Sequence, residues 1–139
     1  MIIVDTSGLL SALAADQRHH AACRDALLAE PGPFLLSPFV LAELDHLVGR
    51  SGRLADQLAL LAEVERGAYR LVSFNADDVG LARRVMERYG DLAIGPTDAS
   101  LVVIAARHGT RRLLTLDERH FHAVRALDGE PFQLLPADR

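Results

Sequence analysis

Four acidic side chains, Asp5, Glu43, Asp98 and Asp117, occupy positions where the local pattern gives a carboxylate something to bind. Asp5 follows the wholly apolar, β-branched run Ile2-Ile3-Val4, and Asp117 follows Leu113 to Leu116. A strand that ends in a carboxylate delivers it to the carboxyl edge of a parallel sheet, where open α/β folds place their ligands. Asp98 lies in the first turn of a helix opened by Gly95-Pro96-Thr97, where unpaired N–H groups and the positive dipole end favour an ionised acid. At about 100° per residue, Glu43 falls within the arc of Phe39, Val40, Leu44 and Leu47, whereas Asp45 points away.

A carboxylate on a core-facing surface needs a partner, because an unpaired buried charge is costly enough to shift its pKa and neutralise. All 15 residues counted as Lys+Arg are arginine, so no lysine can serve. One divalent cation shared by Asp5, Glu43, Asp98 and Asp117 answers the need of all four. Oxygen donors with hardly any His or Cys beside them suit Mg²⁺ or Mn²⁺ better than Zn²⁺. Each acid also has a plain structural reading: Asp5 as a helix cap, Asp98 as a dipole complement, Asp117 as a turn acid and Glu43 in an arginine pair. Their joint placement at one sheet edge favours a metal site over four coincidences.

The elements that must position these acids are legible along the chain. Residues Arg18 to Ala29 read as a helix ended by Pro31-Gly32-Pro33, and Phe34-Leu35-Leu36 reads as a second buried strand. Ser37-Pro38 opens a helix through about Val48, bracketed by Gly49 and Gly52. Leu54, Leu58 and Leu61 recur at helical spacing before Gly67. Tyr69 to Phe74 reads as a third strand, and Asn75 caps a helix through about Tyr89. The helix opened by Pro96 carries Leu101 to Ala106, apolar almost all round, and should lie buried until Gly109. Leu113 to Leu116 and Phe132 to Leu135 complete the strands. Strands separated by helices imply parallel crossovers and a three-layer α/β/α sandwich with a central, mostly parallel sheet.

The 139 residues fit a single domain, 1–139, with no linker or repeat to divide it. Half of them are hydrophobic, which supports a packed core and excludes global disorder. No apolar run approaches the roughly 20 residues of a membrane span, and Met1 leads directly into a strand-like run with no basic leader. A lone cysteine, Cys23, forms no internal disulfide and fits a reducing, cytoplasmic setting. The absence of lysine removes Walker A, Schiff-base and phosphoaspartyl chemistries that require one. The net charge of -4 leaves any nucleic acid to be held by local arginines or bound cations.

At the acidic positions the sequence resembles a PIN-domain ribonuclease, most closely the VapC-type toxins of bacterial type II toxin-antitoxin pairs. The resemblance is carried by Ile3-Val4-Asp5-Thr6-Ser7, by Ser37 to Leu44 around Glu43, by Thr97-Asp98-Ala99-Ser100-Leu101, by Thr115-Leu116-Asp117-Glu118-Arg119-His120-Phe121, and by the closing Phe132 to Pro136. It runs nearly end to end. Gly8 departs from the pattern, standing where alanine is usual.

The resemblance implies a Mg²⁺- or Mn²⁺-dependent endoribonuclease. Asp5 and Asp98 are expected as direct ligands, Glu43 and Asp117 as direct or water-mediated ones, and Thr6 or Ser7 as supporting hydrogen-bonders. Water is the expected nucleophile, so the product should carry a 5′-phosphate. The likeness further implies a VapB-type antitoxin and a homodimer formed by helices of the half containing Leu54 to Leu61. Arg119, and after it Arg112, are the candidate RNA contacts among the arginines near the fourth strand. His19-His20 and His120-x-His122 are histidine pairs without further soft ligands. Two other readings remain. An aspartyl-nucleophile phosphohydrolase would want a second acid where Ser7 stands, and a catalytically inactive partner-binding module would use the acids only in salt bridges.

Overall fold

The protein is described by a computed structural model covering residues 1–50 and 52–138. Five strands, β1 (Ile2–Val4), β2 (Phe34–Leu36), β3 (Arg70–Leu71), β4 (Arg112–Leu114) and β5 (Gln133–Leu135), form one sheet in the order β3-β2-β1-β4-β5. Every pairing is parallel. Seven α-helices are present among the described residues: α1 (Thr6–Leu13), α2 (His20–Ala29), α3 (Pro38–Arg50), α4 (Leu54–Glu65), α5 (Ala76–Arg88), α6 (Pro96–His108) and α7 (Glu118–Ala123). The result is the expected three-layer α/β/α architecture.

The chain steps outward from β1 to β2 to β3 and then returns to the other side of β1 as β4. The carboxyl ends of β1 and β4 therefore flank the point where the strand order reverses, the place at which open α/β sheets form ligand crevices. The central strands are short but fully sheltered: Ile2, Ile3, Val4, Leu35, Leu36, Leu113 and Leu114 are all buried. Their uniform apolarity, with no alternation, is what a sheet covered on both faces requires.

Helix α6 is buried continuously from Ala99 to Ala105 and ends at Gly109, whose positive φ of 66° closes the helix as the sequence anticipated. Asn75 caps α5 and exchanges hydrogen bonds with Asp78 in a capping box. Gly8 packs α1 directly onto β4, where an added Cβ would stand 2.5 Å from the Leu114 carbonyl oxygen. Glycine at this position allows the close approach, and the first helix forms without disruption.

Several expectations are revised. The strand expected over 69–74 shrinks to Arg70–Leu71, because it is a sheet edge whose two residues are exposed. Helix α3 continues through Gly49 to Arg50, since nothing obliges a glycine to terminate a helix whose neighbours keep bonding. The Leu54, Leu58 and Leu61 stripe is exposed, and α4 buries Leu60 instead. Asp117 does not end the fourth strand. The strand stops at Leu114, and Asp117 caps the short helix α7, which strand periodicity alone did not reveal.

Candidate metal centre

Asp5 leaves β1 and at once caps α1. Its Oδ1 accepts the Thr6 N–H at 2.8 Å, and its Oδ2 accepts the hydroxyls of Thr115 at 2.7 Å and Ser7 at 3.4 Å. Thr115, fully buried just beyond β4, also accepts the Asp117 N–H at 3.0 Å, while Ser7 Oγ accepts the Leu116 N–H at 3.0 Å. Two turns 110 residues apart in sequence are thus joined through a pair of hydroxyls with Asp5 between them. Asp5 itself is buried. Burial raises its pKa, the Thr115 and Thr6 hydrogen bonds oppose that, and the charges of Glu43 and Asp117 push it further up.

Asp98 and Glu43 are brought together by a second hydroxyl chain. Ser100 donates to the Thr97 carbonyl at 2.6 Å, which leaves Ser37 to donate to Ser100 Oγ at 2.8 Å, and Ser37 in turn accepts the Phe39 N–H at 3.2 Å. This relay, buried at both serines, fixes the start of α3 against the start of α6. Thr97 then donates to Glu43 Oε2 at 3.2 Å. The expected core-facing position of Glu43 is corrected here. Only Val40 and Leu44 of α3 are buried, so the apolar arc is narrower than the sequence suggested; Glu43 lies exposed at the rim while Asp45 is half-buried and hydrogen-bonded by Gln57.

Asp117 caps α7, its Oδ1 accepting the His120 N–H at 3.1 Å and its Oδ2 lying 2.8 Å from His120 Nδ1. His120 Nδ1 is also 3.6 Å from Asp98 Oδ2. The Asp98 carboxyl is pushed up to about 6, first by burial, then by the charges of Asp5 and Asp117, with His120 opposing and Glu43 adding to the rise. Asp98 thus feels each of the other three acids. Asp98, Asp117 and His120 each present a donor atom within 4.8 Å of the others.

No arginine pairs with any of the four acids among the described residues. The carboxylate oxygens with nearby hydroxyls are donors that could hold a hard divalent ion. Thr6, next to Asp5, is buried with its hydroxyl unpartnered. The sequence reading missed Thr97 and Thr115 as site residues and set His120 aside with His122 as a weak histidine pair. Each lies within three residues of a site acid, a signal present in the Thr-Asp and Thr-x-Asp-x-x-His patterns.

The two RNA-contact candidates separate. Arg119 is exposed on the first turn of α7 beside Asp117 and makes no ion pair among the described residues. Arg112 opens β4 at the opposite, amino edge of the sheet and is paired with Glu30, so it is not at the acidic site. Arg107 and Arg111 are likewise committed, to Asp78 and Asp128 respectively. His20 faces the Ser11 carbonyl at 2.8 Å and joins no metal-type cluster among the described residues.

The fold is shared with known proteins. Residues 2–127 match the family model of the PIN domain. The chain is 39% identical over 135 residues to Ribonuclease VapC26 of Mycobacterium tuberculosis, covering 97% of this chain and 100% of that relative. The crystal structure of Mycobacterium tuberculosis VapC20, a sarcin-ricin loop cleaving toxin, has a TM-score of 0.78 at 21% identity, covering 84% of this chain and 90% of that one. VapBC2 from Rickettsia felis, solved with a DNA fragment from its promoter, gives 0.66 at 22% identity, covering 96% of this chain and 98% of that one. The structural likenesses attest the shared fold. The chain belongs to the PIN-domain family. Within that family it groups with the VapC-type ribonucleases.

Proposed function

We propose that this ribonuclease, as a single PIN unit over 1–139, cuts RNA by hydrolysis dependent on Mg²⁺ or Mn²⁺. Asp5 and Asp98 are the direct ligands, and Glu43 and Asp117 bind directly or through water. The observation that carries this reading is the convergence of four carboxylates with no guanidinium among them, two of them with raised pKa. When bound, the cation supplies Lewis acidity toward the phosphoryl oxygen and lowers the pKa of water. The protein's own residues supply the rest. Thr115, Ser7 and the Thr6 N–H hold Asp5 in one orientation, and Thr97 holds Glu43. Arg119, exposed and unpaired beside the crevice, binds a substrate phosphate.

A VapB-type antitoxin restrains the enzyme, and a homodimer forms through the face bearing Leu54, Leu58 and Leu61. Their exposures of 68%, 56% and 44% leave an apolar stripe on α4 to be covered. The setting is the cytoplasm, where the buried Cys23 stays a thiol. Incubation of purified protein with mixed RNAs in Mg²⁺ or Mn²⁺, with and without EDTA and beside Asp5→Asn, tests the reading. Cleavage that leaves 5′-phosphate ends and stops on chelation or in the variant is expected. Cleavage that survives EDTA, or a cyclic phosphate product, overturns it.

A further inference from the structure

His120 is paired with the site acid Asp117, and the function described so far gives the histidine no role. As cap and third residue of α7, they stand where a capping box places two side chains against each other. The His120 N–H occupies Asp117 Oδ1, so the other carboxylate oxygen and the ring are left side by side, with Nδ1 2.8 Å from Oδ2. The same Nδ1 also lies 3.6 Å from Asp98 Oδ2, inside the acidic crevice.

We propose that His120 is a nitrogen ligand of the catalytic cation through Nδ1, and that it tilts the site toward Mn²⁺ over Mg²⁺. The inference rests on the metal-dependent reading above. Around an octahedral ion with bonds of about 2.1 Å, adjacent donors stand about 3 Å apart and opposite donors about 4.2 Å apart. The separations of 2.8 and 3.6 Å, and the 4.8 Å limit enclosing all three donors, fit one coordination sphere with small side-chain adjustments. Mg²⁺ takes oxygen donors and gains little from an imidazole, whereas first-row transition ions accept one readily. His122, the other histidine on α7, is exposed and faces Asp138 at 3.3 Å, so it does not compete.

The test uses Mn²⁺ alone as the probe, on the full chain and on His120→Asn, which keeps a short polar side chain at the same helix position. Electron spin echo envelope modulation of the bound Mn²⁺ should show a directly coupled nitrogen in the unaltered protein and none in the variant. Mn²⁺ affinity should fall about tenfold in His120→Asn while Mg²⁺ affinity, measured by competition, changes less than about threefold. Bound Mn²⁺ without nitrogen coupling, coupling that persists in the variant, or equal losses for both ions would overturn the assignment of His120 and leave the carboxylate site standing. Failure of the unaltered protein to bind Mn²⁺ at all would instead remove the metal reading itself. Circular dichroism of the variant establishes that α7 and the fold are retained, and if they are not, the coupled nitrogen in the unaltered protein still decides the question.

Discussion

The two edges of the sheet treat buried carboxylates in opposite ways. At the amino edge Glu30, which is buried, is met by the Met1 ammonium at 3.2 Å and by the Arg112 guanidinium. At the start of α5, buried Asp78 is likewise met by Arg107 at 3.0 Å and by the Asn75 N–H at 2.9 Å. At the carboxyl edge buried Asp5 receives only neutral donors and faces further acids. The chain holds 15 arginines and pairs none of them with those acids among the described residues. An acid supplied with its own cation serves the fold. An acid denied one is, on the reading proposed above, a place for a cation from solution.

The sharpest way to break this contrast is to neutralise Asp5. Asp5→Asn keeps an acceptor for the Thr6 N–H and can still bond Thr115, so packing is preserved. Cleavage of RNA should fall by at least about a thousandfold, equivalent to about 4 kcal/mol of barrier. The urea midpoint of the metal-free protein should stay level or rise, because a buried charge without a counter-ion has been removed. A fall in the midpoint would show that Asp5 is structural in the same sense as Glu30.

The second test uses pH. The folded carboxyl of Asp98 titrates at about 6, above its ordinary value of 3.8. The folded protein therefore binds a proton that the unfolded chain has released between those values. The stability this contributes is present at low pH and is lost as pH rises through about 6. Without metal, Asp98 alone should lower the unfolding free energy by up to roughly 3 kcal/mol between pH 4 and 7, and Asp98→Asn should remove that part of the slope while the part due to Asp5, whose pKa is also raised, remains. Mn²⁺ at about a hundred times its dissociation constant should add back about 2.7 kcal/mol at pH 7. A flat profile in metal-free wild type would mean the acids do not crowd one another.

The third test turns to the other edge. Glu30→Gln leaves the Met1 ammonium and Arg112 without their counter-charge, but these side chains are 34% and 39% exposed and keep some solvation. A loss of about 2 kcal/mol is expected, below that of a fully enclosed pair. RNA cleavage per folded molecule should not change.

How much of this was readable in the sequence depends on whether the information was local. Asp5, Asp98 and the Gly109 stop follow from a strand end, a helix start and a glycine cap, each decided within a few residues. The rotation of α3 about its axis is set by the helices packed on it, α4, α1 and α6, so Glu43 was grouped with the other acids by an argument about burial that the structure reverses. The same dependence on neighbours exposed Leu54, Leu58 and Leu61 while burying Leu60. Thr115 escaped notice because its role is long-range, joining residues on either side of the switch point. Arg112 and Arg119 are seven positions apart and look equivalent as sequence; β4 and the turn after it carry them to opposite edges.

That last separation gives the smallest and most specific prediction. A phosphate contact at Arg119 is a single exposed ion pair, contributing about 0.5–1 kcal/mol, so Arg119→Ala should raise KM about two- to fivefold with kcat nearly unchanged. Because one fewer phosphate charge is neutralised, the dependence of RNA binding on salt should also become shallower, by about one unit of slope or less. Arg112→Ala removes the same charge from the protein but at the amino edge, where its partner is Glu30. It should cost stability and leave both KM and the salt slope in place. Equal effects of the two variants on RNA binding would mean that the net charge of the molecule, and not the position of Arg119 beside the crevice, governs its hold on RNA.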